Sequence, residues 1–590
     1  MTLNIAICDD DAEEFEPLCH LLDICSFQFN IDLHIDTYTS AQALLTRYRE
    51  STGAPYQLLF LDIEMPDGSG ITLADVIKRN FDHHVMIVFV SNYPKYMQDS
   101  FAVHPYHFLQ KPVQEVEMKQ LISDILEEYT KNLSLISVVD GYDREYTLNL
   151  KDVYYIKVKN AKSKELCFHM REDTIPAKGT MQVQTGLCIL VQDGTITDIV
   201  PDTADLSGYK TIDLQGRYIM PGLINMHVHL AGNGKPQKKQ RDNEKLVKKI
   251  MRSSLTRAVA YKMVSGFAKD ELLSGVTTIR TVGGLGSFDT RLRDEIAAGT
   301  KVGPRILAAN EGISVPGGHM AGSVAIAAAS IPEALAHLEQ SKKEKVDLVK
   351  LMITGGVLDA KEKGVPGELK MSPDMVRAVC DKAHADGYIV SAHVESPEGV
   401  RVALENGVDS IEHGAKMDDE MIELFKERGA FLCTTISPAL PYALFDRSIT
   451  NATEVEQFNG NVVFEGIVDC SKKALANDIP VVLGDDVGCP WITQYDFWRE
   501  LYYFHKYVGV SNAFALYTAT ARSAELAGIS DITGSIEKGK AADLIVTAKN
   551  PLDDLRALRN VDMVVARGTI IDHPKVKKKK QVETELDKFL

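Results

Sequence analysis

Pro221-Gly222-Leu223-Ile224-Asn225-Met226-His227-Val228-His229-Leu230 is an apolar run that ends by presenting two histidines one residue apart. On a β-strand, residues i and i+2 share a face, so His227 and His229 can ligate one metal ion together. That pair is half a metal site, and four later apolar runs offer the remainder. Residues 347–353 carry Lys350 among hydrophobic neighbours, where an unpaired ammonium is costly. Residues 388–393 and 409–414 bring His393 and His413 to their ends, and residues 479–486 close on Asp485 and Asp486. Hydrophobic strands separated by helical stretches, each with a polar residue at its C-terminal end, predict a (β/α)8 barrel with its active site on that face.

The order His-x-His, Lys, His, His, Asp resembles the amidohydrolase superfamily, in particular its metal-dependent Xaa-Pro dipeptidase-like and imidazolonepropionase-like members. The matching pieces are PGLINMHVHL at 221–230, VKLMITGGV at 349–357, SIEHG at 410–414, GDDVG at 484–488, ATARSAELAG at 519–528 and GSIEKGKAADLIV at 534–546. The resemblance implies one divalent metal, Zn2+ by ligand type, on His227, His229 and Asp486. It implies a second on His393 and His413, with Lys350 bridging the two as a carboxylated lysine. It further implies that Asp486 shuttles a proton to the leaving nitrogen and that His319, in the loop Val315-Pro316-Gly317-Gly318-His319, stands on the substrate side. The reaction expected is hydrolysis of an amide-type C–N bond in a dipeptide, an N-acyl amino acid or a cyclic amide. Tyr442, after the seventh barrel strand (431–436), is a further candidate substrate contact. The chain departs from the family pattern at Glu395, where a second histidine is common, at Asp485, where threonine is common, and at Thr281, where aspartate is common. These departures lie beside the inferred ligands and bear on specificity.

At 590 residues the chain exceeds one ordinary core. A hydrophobic content of 45% with 25% charged residues is that of a globular protein, and a formal charge of -17 argues against broad nucleic-acid binding. Nine cysteines without Cys-x-x-Cys spacing fit reduced thiols and a cytoplasmic location. No signal-like N-terminus and no long apolar run predict secretion or membrane insertion.

Residues 1–130 alternate short apolar strands, at 4–8, 33–37, 58–62, 85–90 and 108–109, with helical stretches, which predicts an open parallel α/β sheet. Asp9, Asp10 and Asp62 follow the first and third strands, where such sheets bind ligands, and three convergent carboxylates suit Mg2+. With Ser91, Lys111 and the pieces LFLDIEMPDGSG and FLQKP, this stretch resembles the flavodoxin-like receiver domain of response regulators. The resemblance implies phosphoryl acceptance at Asp62, Mg2+ near Asp9 and Asp10, phosphoryl contacts from Ser91 and Lys111, a switch aromatic at Phe108 and a sensor histidine kinase as partner.

Residues 131–173 resemble the opening strands of a LytTR-type DNA-binding domain, but such a domain takes about 100 residues, so a short β-rich linker is expected and DNA binding is not. Residues 174–218 and 530–574 flank the barrel (219–529) with short strands, including the hairpin signal Asp193-Gly194, and are expected to pair into one composite β-sandwich. The polar segment 232–250 after His229 is expected at the barrel entrance. Residues 575–590, with Lys577 to Lys580, read as a polar tail. The assembly expected is a homo-oligomeric hydrolase carrying a phospho-acceptor domain. The rival reading is a response regulator whose output is DNA or protein binding, with the barrel as scaffold.

Overall fold

Leu58-Leu59-Phe60-Leu61-Asp62 shows why the N-terminal sheet is parallel and covered on both faces. Leu58 and Phe60 pack with Leu18, Leu22, Met118 and Ile122, whereas Leu59 and Leu61 pack with Leu44, Leu73 and Ile77 on the opposite side. A strand buried on both faces has no polar positions to alternate. The strands Thr2–Cys8, Asp32–Tyr38, Leu58–Asp62, Met86–Ser91 and His107–Gln110 are parallel and lie in the order second, first, third, fourth, fifth. Helices Phe15–Phe29 and Glu115–Asn132 line one face, Ala41–Glu50 and Gly70–Asn80 the other. This is the flavodoxin-like arrangement, with its ligand crevice at the strand C-termini.

The structure, a computed structural model, describes residues 2–29, 31–50, 55–66, 68–82, 85–92, 103, 105–132, 135–139, 145–149, 153–160, 165–170, 183–237 and 242–590. The chain divides into two units, Met1–Pro176 and Ala177–Leu590. Within the first, Leu135–Val139 pairs antiparallel with Glu145–Asn149, and Val153–Asn160 with Glu165–Met170, as two separate two-stranded sheets. Such pairs are common to many folds and do not by themselves define a DNA-binding domain. No helix of the described residues is long and apolar enough to cross a membrane.

The second unit is built on parallel strands Leu223–Val228, Val276–Thr281, Arg305–Ala308, Val349–Met352, Val390–Val394, Ser410–His413, Phe431–Thr434 and Val481–Leu483. Seven of the eight are wholly buried, consistent with a barrel interior under a helical jacket. Most neighbours pair directly. The third and fourth strands are linked where the Asp347 N–H donates to the Ala308 carbonyl at 2.8 Å. The ring closes where the Asp486 N–H donates to the His227 carbonyl at 3.0 Å and Val228 bridges Val487. Helices re-enter the jacket on local signals: Ser372 and Ser396 each cap a helix that begins with proline, and Thr453 with Glu456 forms a capping box.

Tyr218–Pro221 pairs antiparallel with Leu544–Thr547, which continues through Met563–Ala566 to Thr569–Asp572. Leu187–Gln192 and Thr195–Pro201 form a second sheet. Ile196, Ala542, Leu544, Val546, Met563 and Val565 make a shared core, and the Ile196 N–H donates to the Lys540 carbonyl at 2.8 Å. The C-terminal residues differ from the polar tail expected. Lys580–Leu586 is helical, with Val582 and Leu586 buried, because Glu583 and Asp587 answer two arginines of the barrel unit, Arg499 and Arg559.

Candidate active site

The first barrel strand ends by turning His227 and His229 into the ring, their ring centres 5.2 Å apart. Each is oriented through Nδ1: His227 by the Glu412 carboxylate at 2.7 Å, His229 by the Gly283 carbonyl at 3.0 Å. Both Nε2 atoms therefore face Asp486, whose Oδ1 lies 3.5 Å from His227 and 3.3 Å from His229. His413, at the end of the sixth strand, holds Thr435 Oγ1 through Nδ1 at 2.7 Å, and its ring centre is 4.8 Å from that of His227. His393, at the end of the fifth, turns Nε2 to the Gly355 carbonyl at 3.2 Å and lies 4.7 Å from His413 between ring centres. Ligand-capable atoms of His227, His413 and Asp486 lie within 4.8 Å of one another, as do those of His393, Glu395 and His413.

Burial decides the protonation of this cluster. Desolvation holds His227, His393 and His413 well below the ordinary histidine range, with Lys350 or another histidine adding to the effect, so these rings are neutral and carry lone pairs. Burial likewise lowers Lys350 to about 8, although Glu412 pulls the other way. Lys350 Nζ and Asp486 Oδ1 are buried with no hydrogen-bond partner among the described residues. Two residues at the site occupy left-handed backbone, His413 at φ 67° and Asp486 at φ 55°, which costs on the order of 1–3 kcal/mol each in a non-glycine residue. Gly484 is required beside them, because a Cβ there would stand 2.3 Å from the His227 Cβ.

A set of neutral imidazoles, a donor-less carboxylate oxygen and an uncompensated buried amine fits a pair of divalent cations. Imidazole nitrogen and carboxylate oxygen are the donors that Zn2+ takes. The amine fits once carboxylated, since an ammonium adds charge where cations belong and a carbamate removes it.

The structure brings five of the six sequence-predicted ligands, the four histidines and Asp486, together at one end of the barrel, with Lys350 buried in the fourth strand below them. His319 stacks on His393, centre to centre 4.0 Å at 2°, and hydrogen-bonds Asp359 at 2.5 Å, so it flanks the cluster. Tyr442 lies on the short helix Leu440–Leu444 and hydrogen-bonds none of these groups among the described residues. Sequence reasoning missed Glu412 and Arg280. Arg280 donates to Glu412 Oε1 at 2.7 Å and to the Met226 carbonyl at 2.7 Å, fully buried, so an arginine holds the glutamate that orients His227. The signal was available as a charged residue inside each of two apolar strands. Glu395 was noted as a departure and given no role; its carboxylate stands beside His393 and His413.

In the first unit, Asp9, Asp10 and Asp62 form a cluster of the same kind. Lys111 Nζ reaches Asp9 at 2.6 Å and Asp62 at 3.4 Å. Burial raises Asp62 to about 6 against the pull of Lys111. Ser91 is buried at the end of the neighbouring strand, and Phe108 is partly buried on the fifth.

Comparison with known proteins supports a hydrolase acting on C–N bonds. Residues 218–571 match the Amidohydrolase family and residues 5–123 the Response regulator receiver domain, so the chain belongs to the amidohydrolase family and carries a receiver domain. Among solved structures, it is similar to a protein from Bifidobacterium longum assigned as a prolidase, at 35% identity and a TM-score of 0.60, over 74% of this chain and 97% of that one. It is also similar to a Xaa-Pro dipeptidase with methionine bound in its active site, at 30% identity and a TM-score of 0.58, over 66% and 96%. Ochratoxinase of Aspergillus niger is 24% identical over 376 residues, covering 58% of this chain and 72% of the enzyme.

Proposed function

We propose that the chain is a metal-dependent hydrolase that cleaves the amide bond of a small substrate, with Xaa-Pro-type dipeptides the first class to test. The observation that carries this reading is the convergence of the inward nitrogens of His227, His229 and His413 on Asp486, beside His393 and the unpartnered amine of Lys350. His227, His229 and Asp486 would hold one divalent metal, His393 and His413 a second, and carboxylated Lys350 would bridge them. When bound, such metals acidify water and polarise a carbonyl.

The residues supply the remaining chemistry. Asp486 takes the proton of the attacking water on a carboxylate oxygen and delivers it to the leaving nitrogen as the C–N bond breaks. His319, braced by Asp359 and stacked on His393, lines the substrate side of the cluster. The 35% and 30% relatives described as a prolidase and a Xaa-Pro dipeptidase support peptides over other amides. In the receiver, Asp62 would accept a phosphoryl group from a sensor histidine kinase, with Mg2+ on Asp9 and Asp10 and with Ser91 and Lys111 at the phosphoryl oxygens.

The test is elemental analysis of the purified chain together with a hydrolysis screen of Xaa-Pro dipeptides, N-acyl amino acids and cyclic amides. About two divalent metals per chain and turnover of one class are expected. Less than one metal, or no turnover by the metal-loaded protein, overturns the reading.

A further inference from the structure

Glu395 follows His393 by two residues, just past the end of its strand, as His229 follows His227. Its carboxylate has a ligand-capable oxygen within 4.8 Å of atoms of both His393 and His413. The backbone fixes it there: the Glu395 N–H donates to Thr354 Oγ1 at 3.0 Å, and Oε2 accepts the Val357 N–H at 3.1 Å. No other hydrogen bond reaches this carboxylate, and no lysine or arginine pairs with it, among the described residues. The neighbouring acid is already engaged, since Asp359 Oδ2 accepts from both His319 and the Gly356 N–H. Gly356 keeps the space between them open, because a Cβ there would stand 3.1 Å from the His319 ring and 3.4 Å from Glu395 Oε2. His393 and His413 are buried, whereas Glu395 is partly exposed, so it sits on the solvent side of the two rings.

A carboxylate with spare acceptor capacity, one residue's reach from the reacting centre, selects for a cation on the substrate. In a dipeptide the α-nitrogen lies only about 2.5 Å from the scissile carbonyl carbon, across the N–Cα and Cα–C bonds. With that carbonyl at the His393 and His413 end, the α-ammonium would lie on the side of the cluster where Glu395 offers a charge-assisted hydrogen bond. An N-acyl amino acid or a cyclic amide has no cation to place there and leaves this partly exposed carboxylate without a cationic partner. We propose that Glu395 binds the free α-ammonium of the substrate's first residue and thereby restricts this site to unblocked dipeptides. The inference rests on the amide-hydrolase reading and narrows it.

The experiment uses the full-length, metal-loaded protein and Glu395→Gln. It measures kcat/KM for Met-Pro and N-acetyl-Met-Pro, calorimetric binding of L-methionine and N-acetyl-L-methionine, and metal content. The wild type should favour the unblocked member of each pair by about tenfold or more, the scale of a hydrogen bond to a charged group. Glu395→Gln should erase that preference with metal content unchanged. Equal treatment of both members by the wild type overturns the proposal without any variant, and so does failure of both amino acids to bind. Loss of a metal from Glu395→Gln also overturns it, by making Glu395 a ligand. If no peptide is cleaved, the hydrolase reading fails separately, and the methionine pair still decides ammonium recognition.

Discussion

Asp486 combines three properties that rarely coincide in an aspartate: left-handed backbone, burial, and an oxygen that no donor satisfies among the described residues. Strain and desolvation of this kind persist where a site uses them. Asp486→Asn is expected to abolish turnover, since an amide can neither take the proton of water nor ligate as an anion; kcat near the wild-type value would remove Asp486 from the mechanism. Glu412 acts one step away. It orients His227 through Nδ1 and is itself held by Arg280 and by Ser410 Oγ at 2.5 Å. Glu412→Gln is expected to weaken metal binding by about 10- to 100-fold, the usual effect of disturbing the group behind a ligating histidine. Competition with a chelator measures this directly, and unchanged affinity would show that His227 is oriented by packing alone.

Among the elements, the C-terminal helix Lys580–Leu586 has a structural role out of proportion to its length. Arg499 is 1% exposed and meets Asp496 at 3.1 Å, Asp587 at 2.6 Å and Glu583 at 3.3 Å, while Arg559 takes the other oxygens of the same two acids. Removing residues 575–590 strips two of the three acids from a buried guanidinium and exposes the apolar contacts of Val582 and Leu586. A loss of about 3 kcal/mol is expected from the uncompensated charge, read as a lower denaturation midpoint of the barrel unit. An unchanged midpoint would return this segment to the status of a solvated tail.

At the scale of the whole molecule, the question is whether phosphorylation of one unit reaches the chemistry of the other. Among the described residues, the strands between 135 and 170 pair in twos, and a two-stranded pair is too small to bury a core of its own. A two-state domain biases a distant site only through contacts that differ between its states, and the sequence specifies no such contact. Acetyl phosphate with Mg2+ is expected to modify Asp62, with no modification of Asp62→Asn, and to change kcat/KM by less than tenfold. A larger change would mean at least about 1.4 kcal/mol of coupling and would overturn the expectation.

Both folds and the histidine, lysine and aspartate constellation were legible in the sequence for one reason. A group that is expensive to bury stands out within an apolar run, and strand period then sets the face it shares with its neighbour. Thus His227 with His229, Lys350, His413 and Asp62 were each visible from a window of a few residues. Tertiary structure alone decided who partners whom across the ring: Glu412 with His227 over 185 residues, Arg280 with Glu412 over 132, and Asn225 with Asp485 over 260. It also decided that Glu395 faces His393 and His413 with no lysine or arginine paired to it among the described residues, and that Lys580–Leu586 closes on Arg499 and Arg559. These pairings exist only once the barrel has closed, because closure brings strand ends distant in the chain within hydrogen-bonding distance, and no local pattern of residues encodes that distance.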